Sequence, residues 1–490
     1  MKINLLYENK EASFPKLTKI EEDTWKDLGL EVIFTKMVNG NKFLYDNLKP
    51  ALMHMERDSN VIYYRQEILK DVIANKDISY ELFSMIDALD KEVKTNYSGI
   101  FEQSTSAVVS SSMYLLELTL KKIEDITLFL NSNKDRYKSK GMKSFVSRFI
   151  SLYEPSYLEN VLDKIKYLRF EEGTMLKASL NESLDPTNIK LCKYDKNFKS
   201  KMKVKLAKKL EIKAMDEAAN KEFLRLCDLG VSDIYETMYY VCSSILKFIS
   251  GFRLEFGFYI AGMNLYYRIN NELKLCYPLI SNTINELEYK NVCDISLCIV
   301  KKEKVIGNDL DNTLNKIFII TGANQGGKST FLRSIGQSFI FAQAGLFVAA
   351  DYFKLYPIDG VYTHFNREED SSMQSGRLDE ELKRMDFIVS NIKTNSLILF
   401  NESFSSTNEI EGSKIAYDII KALSEEGIKV FFVTHMYKLS CLVNDFYHDD
   451  ATFLNATRND DGSRNYHLKL QLPERSSYAM DLYNKIFSNN

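Results

Sequence analysis

Residues Thr321-Gly322-Ala323-Asn324-Gln325-Gly326-Gly327-Lys328-Ser329-Thr330 bring together three glycines, one lysine and three hydroxyls and contain the spacing G-x-x-x-x-G-K-[ST]. That spacing suits a polyphosphate. Glycines let the backbone curl until several N–H groups face one anion. A helix starting at the lysine adds the partial positive charge of its N-terminus. Lys328 is the cation that reaches the outer phosphates, and the Ser329 hydroxyl is a ligand for Mg²⁺. Downstream, Ser396-Leu397-Ile398-Leu399-Phe400 ends on Asn401-Glu402. Glu402 is placed to orient or deprotonate an attacking water. The residue before such a glutamate is normally Asp, holding Mg²⁺ through water. Asn401 keeps a carbonyl acceptor but lacks the charge, which predicts weaker metal handling. A third run, Lys429-Val430-Phe431-Phe432-Val433-Thr434, ends on His435, an imidazole able to sense a terminal phosphate by hydrogen bonding.

These groups work only if strand ends carry them. Lys316–Ile320, Ser396–Phe400 and Lys429–Val433 read as buried strands separated by helical patterns, and Ile295–Val300 reads as a fourth β-rich run. Strands alternating with helices predict a parallel sheet, with ligands at its carboxyl edge. From about residue 20 to 275 the pattern is mostly helical. Val61, Tyr64, Ile68, Leu69 and Val72 recur at three- and four-residue spacings, as do Leu115, Leu116, Leu118, Leu120, Ile123 and Ile126. Breakers fall near Asn96–Gly99, Asn131–Asn133 and Asp185-Pro186, and the halves are expected to part near Tyr277–Asn285.

Composition narrows the class. With 490 residues, about three domains are expected. Only 7 Pro and 20 Gly argue for long helices and against an all-β chain. Seven scattered Cys form no C-x-x-C pair, so buried free thiols in a reducing, cytoplasmic setting are expected rather than zinc or disulfides. The apolar stretch from Val241 to Ile269 is interrupted by Lys247, Arg253, Glu255 and Arg268 and reads as a buried helix, not a membrane span. A net charge of −3 gives no global attraction for nucleic acid, so any such surface must be local. One segment qualifies. Ten Lys lie between Lys190 and Lys213 against Asp195 and Glu211. Within it Lys201, Lys203, Lys205, Lys208 and Lys209 are candidates for phosphate-backbone contacts. A merely solvated face is the alternative.

Taken together, TGANQGGKST, SLILFNESFSSTNEIEGSKIAYDII and VFFVTHMYKL resemble the ATPase domain of the MutS family of DNA mismatch-repair proteins. The resemblance covers about 300–445. It implies an α/β P-loop ATPase domain of the MutS or ABC-like type, preceded by helical core and lever regions. The expected division is 1–110 as part of the helical core, 111–280 as a lever or clamp-like region with the basic segment 190–213, and 281–490 as the ATPase domain. It also implies an ATP site formed by Gly322, Ala323, Asn324, Gln325, Gly326, Gly327, Lys328, Ser329 and Thr330. Val305, Ile306 and Asn308 would lie near the adenine. Glu402, His435 and Lys328 would be catalytic, with Ser329 and Asn401 on Mg²⁺. Ser375, in Ser375-Gly376-Arg377, would reach the nucleotide of a second subunit of a homodimer. The family's Ser-Thr-Phe that should come next is here Leu378-Asp379-Glu380. No Phe-x-Glu wedge occurs in the first 100 residues. The expectation is a short MutS-related ATPase without the mismatch-reading domain, with DNA as partner and no membrane. The alternative is a nucleotide-binding switch or scaffold of the same fold, with weak hydrolysis and no DNA partner.

Overall fold

The computed structural model describes residues 3–97, 105–168, 175–183, 186–192, 217–323, 325–366, 376–458 and 464–472. They form two compact units, one of Met1–Ile3 with Asn75–Phe256 and one of Asn4–Ala74 with Gly257–Asn490. These boundaries, 74/75 and 256/257, differ from the expected 110/111 and 280/281. The 256/257 boundary falls inside the helix Glu217–Ile269.

The first unit holds the helices Lys76–Tyr97, Thr105–Asn133, Lys140–Leu152 and Pro155–Leu168. Two of them end at Tyr97 and Asn133, beside the breakers read from the sequence. Val109, Met113 and Leu120 bury one stripe against Leu158, Ile165 and Met238. Each such side chain stabilises by roughly 1.5–3 kcal/mol when fully buried. Arg253 is buried between Asp87 and Asp90, which pair with it. Within 20–275, read as mostly helical, the described residues also include two strands. β1 (Met175–Leu180) and β2 (Pro186–Cys192) pair as an antiparallel hairpin. Pro186 opens β2, a position where a strand tolerates proline because few ladder donors are lost.

The second unit contains two sheets. β3 (Leu279–Ile280), β4 (Leu287–Val292), β5 (Asn308–Thr313) and β7 (Tyr352–Leu355) make a four-stranded sheet ordered β3-β7-β4-β5. β6 (Ile317–Gly322), β8 (Val361–Phe365), β9 (Leu397–Asn401), β10 (Lys429–Val433), β11 (Ala451–Arg458) and β12 (Arg464–Leu470) make the other, ordered β12-β11-β6-β10-β9-β8. All its pairs are parallel except β11 with β12. The three expected strands are β6, β9 and β10, within a residue or two. Apart from Thr321, Gly322, Asn401 and Lys429 at their ends they are apolar, because both faces are covered. Ile317, Ile319, Ile398, Phe400, Val430 and Phe432 face Ala416, Ile420, Leu439 and Val443. On the other face Phe318 stacks on Phe431 at 4.1 Å, and Phe331 of the helix Lys328–Ala344 packs there too.

Residues 4–74 belong to this unit. The helix Ser59–Ala74 forms as its spacing predicts, but its buried face also carries Arg65. Arg65 lies over the Tyr7 ring at 4.6 Å and donates to the carbonyls of Leu6 and Ala344. The helix Lys19–Asp27 starts at a Thr18–Glu21 capping box and lies along β8, where Thr363 Oγ1 donates to Asp27 at 2.7 Å. A second correction concerns Ile295–Val300, which is the helix Ile295–Lys301. Asp294 caps it by accepting from the Leu297 N–H, and that cap outweighs the strand propensity of its β-branched residues. Among the described residues, no helix is long and apolar enough to cross a membrane.

Gly336 lies where the Lys328–Ala344 helix meets the N-terminal segment. A Cβ there would lie 2.6 Å from Leu28 Cδ2 and 2.9 Å from Leu399 Cδ1. Both leucines are fully buried. Gly336→Ala should therefore destabilise by about 1–2 kcal/mol through overpacking, although alanine is the better helix former by about 1 kcal/mol. A urea midpoint at or above wild type would show that the segment yields freely.

Candidate nucleotide site

The register of the six-stranded sheet brings the three sequence elements to one edge. β10 pairs Val433 with Ile320 of β6 on one side and with Asn401 of β9 on the other. The chain leaving each strand stays tied to its neighbours. Glu402 N–H donates to Val433 O at 2.9 Å, and Thr434 N–H donates to Ile320 O at 3.0 Å.

The glycine loop curls as its composition demands. Gly322 and Gly327 have φ of 109° and 91°. A Cβ on Gly322 would meet the Ala456 backbone at 2.7 Å, and one on Gly326 the Ala323 carbonyl at 2.9 Å. These positions take glycine because the fold leaves no room for a side chain. Gly327 then caps the helix Lys328–Ala344, whose first N–H groups have no partner within the helix.

Lys328 is 5% exposed and donates to the carbonyls of Gly322 and Ala323, both at 3.0 Å. Burial lowers its pKa to about 8, with Glu402 opposing the shift and Arg464 adding to it. Ser329 Oγ donates to Asn401 Oδ1 at 2.9 Å. The hydroxyl and carbonyl expected to share a metal therefore face each other. Glu402 accepts from His435 Nε2 at 2.9 Å, and that hydrogen bond holds its carboxyl below the usual range against the opposing effect of burial. His435 Nε2 also lies 3.5 Å from Lys328 Nζ.

Of these groups, Lys328, Ser329 and Glu402 open onto a cleft of about 380 Å³. Val305, Ile306 and Asn308 line it together with Gln325 to Thr330 and Glu402. The 305–308 segment and the phosphate loop thus meet in one cavity. Gly307 lets the first pass close to its neighbour, since a Cβ there would lie 2.6 Å from the Asn291 backbone. Asn308 is fixed by accepting from Leu468 N–H at 2.7 Å. Asn324, Ser375 and the Lys201, Lys203, Lys205, Lys208 and Lys209 cluster lie outside the described residues.

Sequence reading missed Lys301, Lys304 and Tyr466, which also line the cleft. The lysines come at and after the end of the helix misread as a strand, and in sequence they look like a solvated charge run. Tyr466 reaches the cleft from β12, with φ of 58° and its ring 3.5 Å from where a Gly327 Cβ would be. No sequence signal marks it. Conversely, Lys328 is not the only cation near the cleft.

Comparison with known proteins agrees with this geometry. The MutS2 N-terminal domain model matches residues 57–272, and the MutS domain V model matches residues 318–485. Among curated relatives, the DNA mismatch repair protein MutS of Caldicellulosiruptor saccharolyticus is 31% identical over 149 residues, 28% of this chain and 17% of that protein. The protein of the same name from Desulforapulum autotrophicum is 34% identical over 149 residues, 29% of this chain and 17% of the relative. That of Thermus aquaticus is 31% identical over 144 residues, 29% of this chain and 18% of the relative. The matched stretch is thus under a fifth of those proteins' own length. The two family models between them take in the helical first half, the phosphate loop and both strand-end elements, and the chain belongs to the MutS family.

Proposed function

We propose that this chain is a Mg²⁺-dependent ATPase whose nucleotide cycle is coupled to DNA binding. The observation that carries the reading is the meeting of Lys328, Ser329, Asn401, Glu402 and His435 at one sheet edge. The donor set suits Mg-ATP, with Ser329 Oγ and Asn401 Oδ1 as the metal's oxygen partners. When bound, the metal supplies charge neutralisation on the phosphate oxygens. Lys328 turns from its two carbonyls to the phosphates. Glu402, kept ionised by His435, takes the proton of the attacking water. His435 in turn holds the carboxylate's orientation.

Family membership supports the remaining parts. Two subunits would share each site, with Ser375 of one reaching the nucleotide of the other. DNA would be held by the helical half, with the lysines of the 190–213 segment on its phosphates. The names of the relatives refer to mismatch repair; recognition of mismatches is not carried over to this chain. A second reading, a switch that binds nucleotide and turns over slowly, is favoured by one observation. Asn401 meets Ser329 with an uncharged carbonyl where a carboxylate would grip the metal harder.

Three sets of outcomes test these readings, the first from two variants of the site. Lys328→Ala should weaken ATP binding at least tenfold, since a charge-assisted contact contributes roughly 1.5–3 kcal/mol. Glu402→Gln should bind ATP normally yet hydrolyse it about 10²–10⁴-fold more slowly. Calorimetric titration and a phosphate-release assay read both, and a wild-type rate in Glu402→Gln would place the base elsewhere. A wild-type protein with negligible turnover would favour the switch.

The second outcome concerns pH. The empty site holds Lys328 at about 8, and a bound polyphosphate favours its ammonium form, so the complex has the higher pKa. Binding then takes up a proton above pH 8. ATP affinity should be level below about pH 8 and fall as pH rises, by at most tenfold per unit. Affinity independent of pH from 7 to 9.5 would contradict this assignment.

The third concerns DNA. Replacing Lys201, Lys203, Lys205, Lys208 and Lys209 by Gln should weaken binding to all sequences alike. It should also flatten the slope of log affinity against log salt, by roughly 0.9 per lost contact. Wild-type affinity and slope would leave the segment a solvated face.

A further inference from the structure

The turn that carries Glu402 is built at a cost its own sequence does not explain. Glu402 and Phe404 have φ of 56° and 60°. Neither is glycine, and side chains disfavour this left-handed backbone unless the surroundings impose it. Phe404 is fully buried, its ring stacked on His364 at 5.2 Å. Its carbonyl is approached so closely by the helix Glu409–Glu425 that a Cβ on Gly412 would lie 2.4 Å away.

The grip on this turn comes from a carboxylate that the hydrolysis scheme does not use. Glu381, on the helix Arg377–Val389, is 4% exposed. One of its oxygens accepts the Phe404 N–H at 2.9 Å and the Ser406 hydroxyl at 3.2 Å. The other oxygen is buried and has no hydrogen-bond partner among the described residues. A carboxylate buried this way is expensive, and an apolar residue would fill the position at less cost. Fully buried His364, at the end of β8, adds a second tie. Its Nε2–H donates to the Glu381 carbonyl at 3.0 Å, its Nδ1 lies 2.7 Å from Ser403 Oγ, and Ser403 Oγ–H donates to the His364 carbonyl at 2.6 Å. Helix, strand end and turn are thus bound around the residues on either side of Glu402's peptide.

We propose that Glu381 is a positioning residue for hydrolysis: by holding the Phe404 N–H it keeps the backbone left-handed at Glu402 and Phe404 and keeps Glu402 aimed at the phosphate loop. The proposal rests on the reading of Glu402 as the residue that acts on water. Because the Arg377–Val389 helix carries Glu381, a shift of that helix releases the turn and disarms Glu402 without touching the nucleotide contacts. The device needs a hydrogen-bond acceptor at one oxygen, not a charge.

That requirement makes the test specific. Hydrolysis and the affinity for a non-hydrolysable ATP analogue are measured on the full chain for wild type, Glu381→Ala, Glu381→Gln, Ser406→Ala, Glu402→Gln and the double variant Glu381→Ala/Glu402→Gln. Glu381→Ala should lower kcat roughly 10- to 100-fold, the effect of misplacing a catalytic group, with analogue affinity unchanged. Glu381→Gln should keep most of the rate, since its amide oxygen can accept both bonds. The double variant should be no slower than Glu402→Gln alone, because Glu381 acts only through Glu402. Wild-type kcat in Glu381→Ala, an equal loss in Glu381→Gln, or further slowing in the double variant would each overturn the proposal. Should Glu381→Ala fail to fold, Ser406→Ala, which removes one bond to the same oxygen, must show a lowered kcat with intact analogue binding. A wild-type kcat there sinks the idea. If Glu402→Gln itself hydrolyses at the wild-type rate, the reading of Glu402 fails and takes this proposal with it, an outcome separate from the others.

Discussion

The parallel pairing of β10 with both β6 and β9 is the constraint on which the site depends. In a parallel sheet all strands end at the same edge, so the residues leaving one strand meet those leaving its neighbours. Here the register aligns Ile320, Val433 and Asn401. The groups that come next are the phosphate loop, Thr434-His435 and Glu402. A slip of two residues in either pairing would move one of them by about 7 Å along the strand and separate the contacts between Glu402, His435 and Lys328. The pairing is held by burial on both faces, through Phe318 stacked on Phe431 on one side and the Ile420, Leu439 and Val443 layer on the other. Packing between side chains with no chemistry of their own therefore sets the geometry of the candidate site.

Around that edge the chain keeps several polar groups out of water, each with a visible reason. Lys328 is buried, which lowers its pKa to about 8, and its two bonds to backbone carbonyls hold the ammonium beside the loop. Asp294 caps the helix Ile295–Lys301 and also accepts from Arg333 and Gln337 of the phosphate-loop helix. The helix that places Lys301 and Lys304 at the cleft is thereby tied to the helix that begins at Lys328. The site is assembled by hydrogen bonds between neighbouring elements, and its cations come from different parts of the chain.

The N-terminal segment has a role that domain counting would not assign to it. Residues 4–74 pack into the unit that holds the candidate nucleotide site, through Leu28 on Gly336, Gln337 Nε2 on the Leu28 carbonyl and Thr363 on Asp27. Arg65, fully buried, links this segment to the end of the phosphate-loop helix at Ala344. A buried arginine bonded to carbonyls is rigid in a way that apolar packing alone is not, because losing either bond leaves a buried donor unsatisfied. The phosphate-loop helix is accordingly buried along most of its length.

The three strands and the residues at their ends were legible in the order of residues alone, because glycine loops, strand-end carboxylates and apolar strand runs are local signals. Each depends on residues within about ten positions of one another, and the strands β6, β9 and β10 match the pattern read from it. The helix Ser59–Ala74 was legible for the same reason. The hairpin β1–β2 and the helix Ile295–Lys301 were not, because Pro186 and Asp294 act through local geometry that composition does not reveal. It took the folded chain to show that Lys301, Lys304 and Tyr466 share a cleft with the phosphate loop, and that Glu381 and His364 hold the turn at Glu402. Those partners are brought together from 17 to 138 positions apart by sheet register and helix packing, and no spacing in the chain encodes such a meeting.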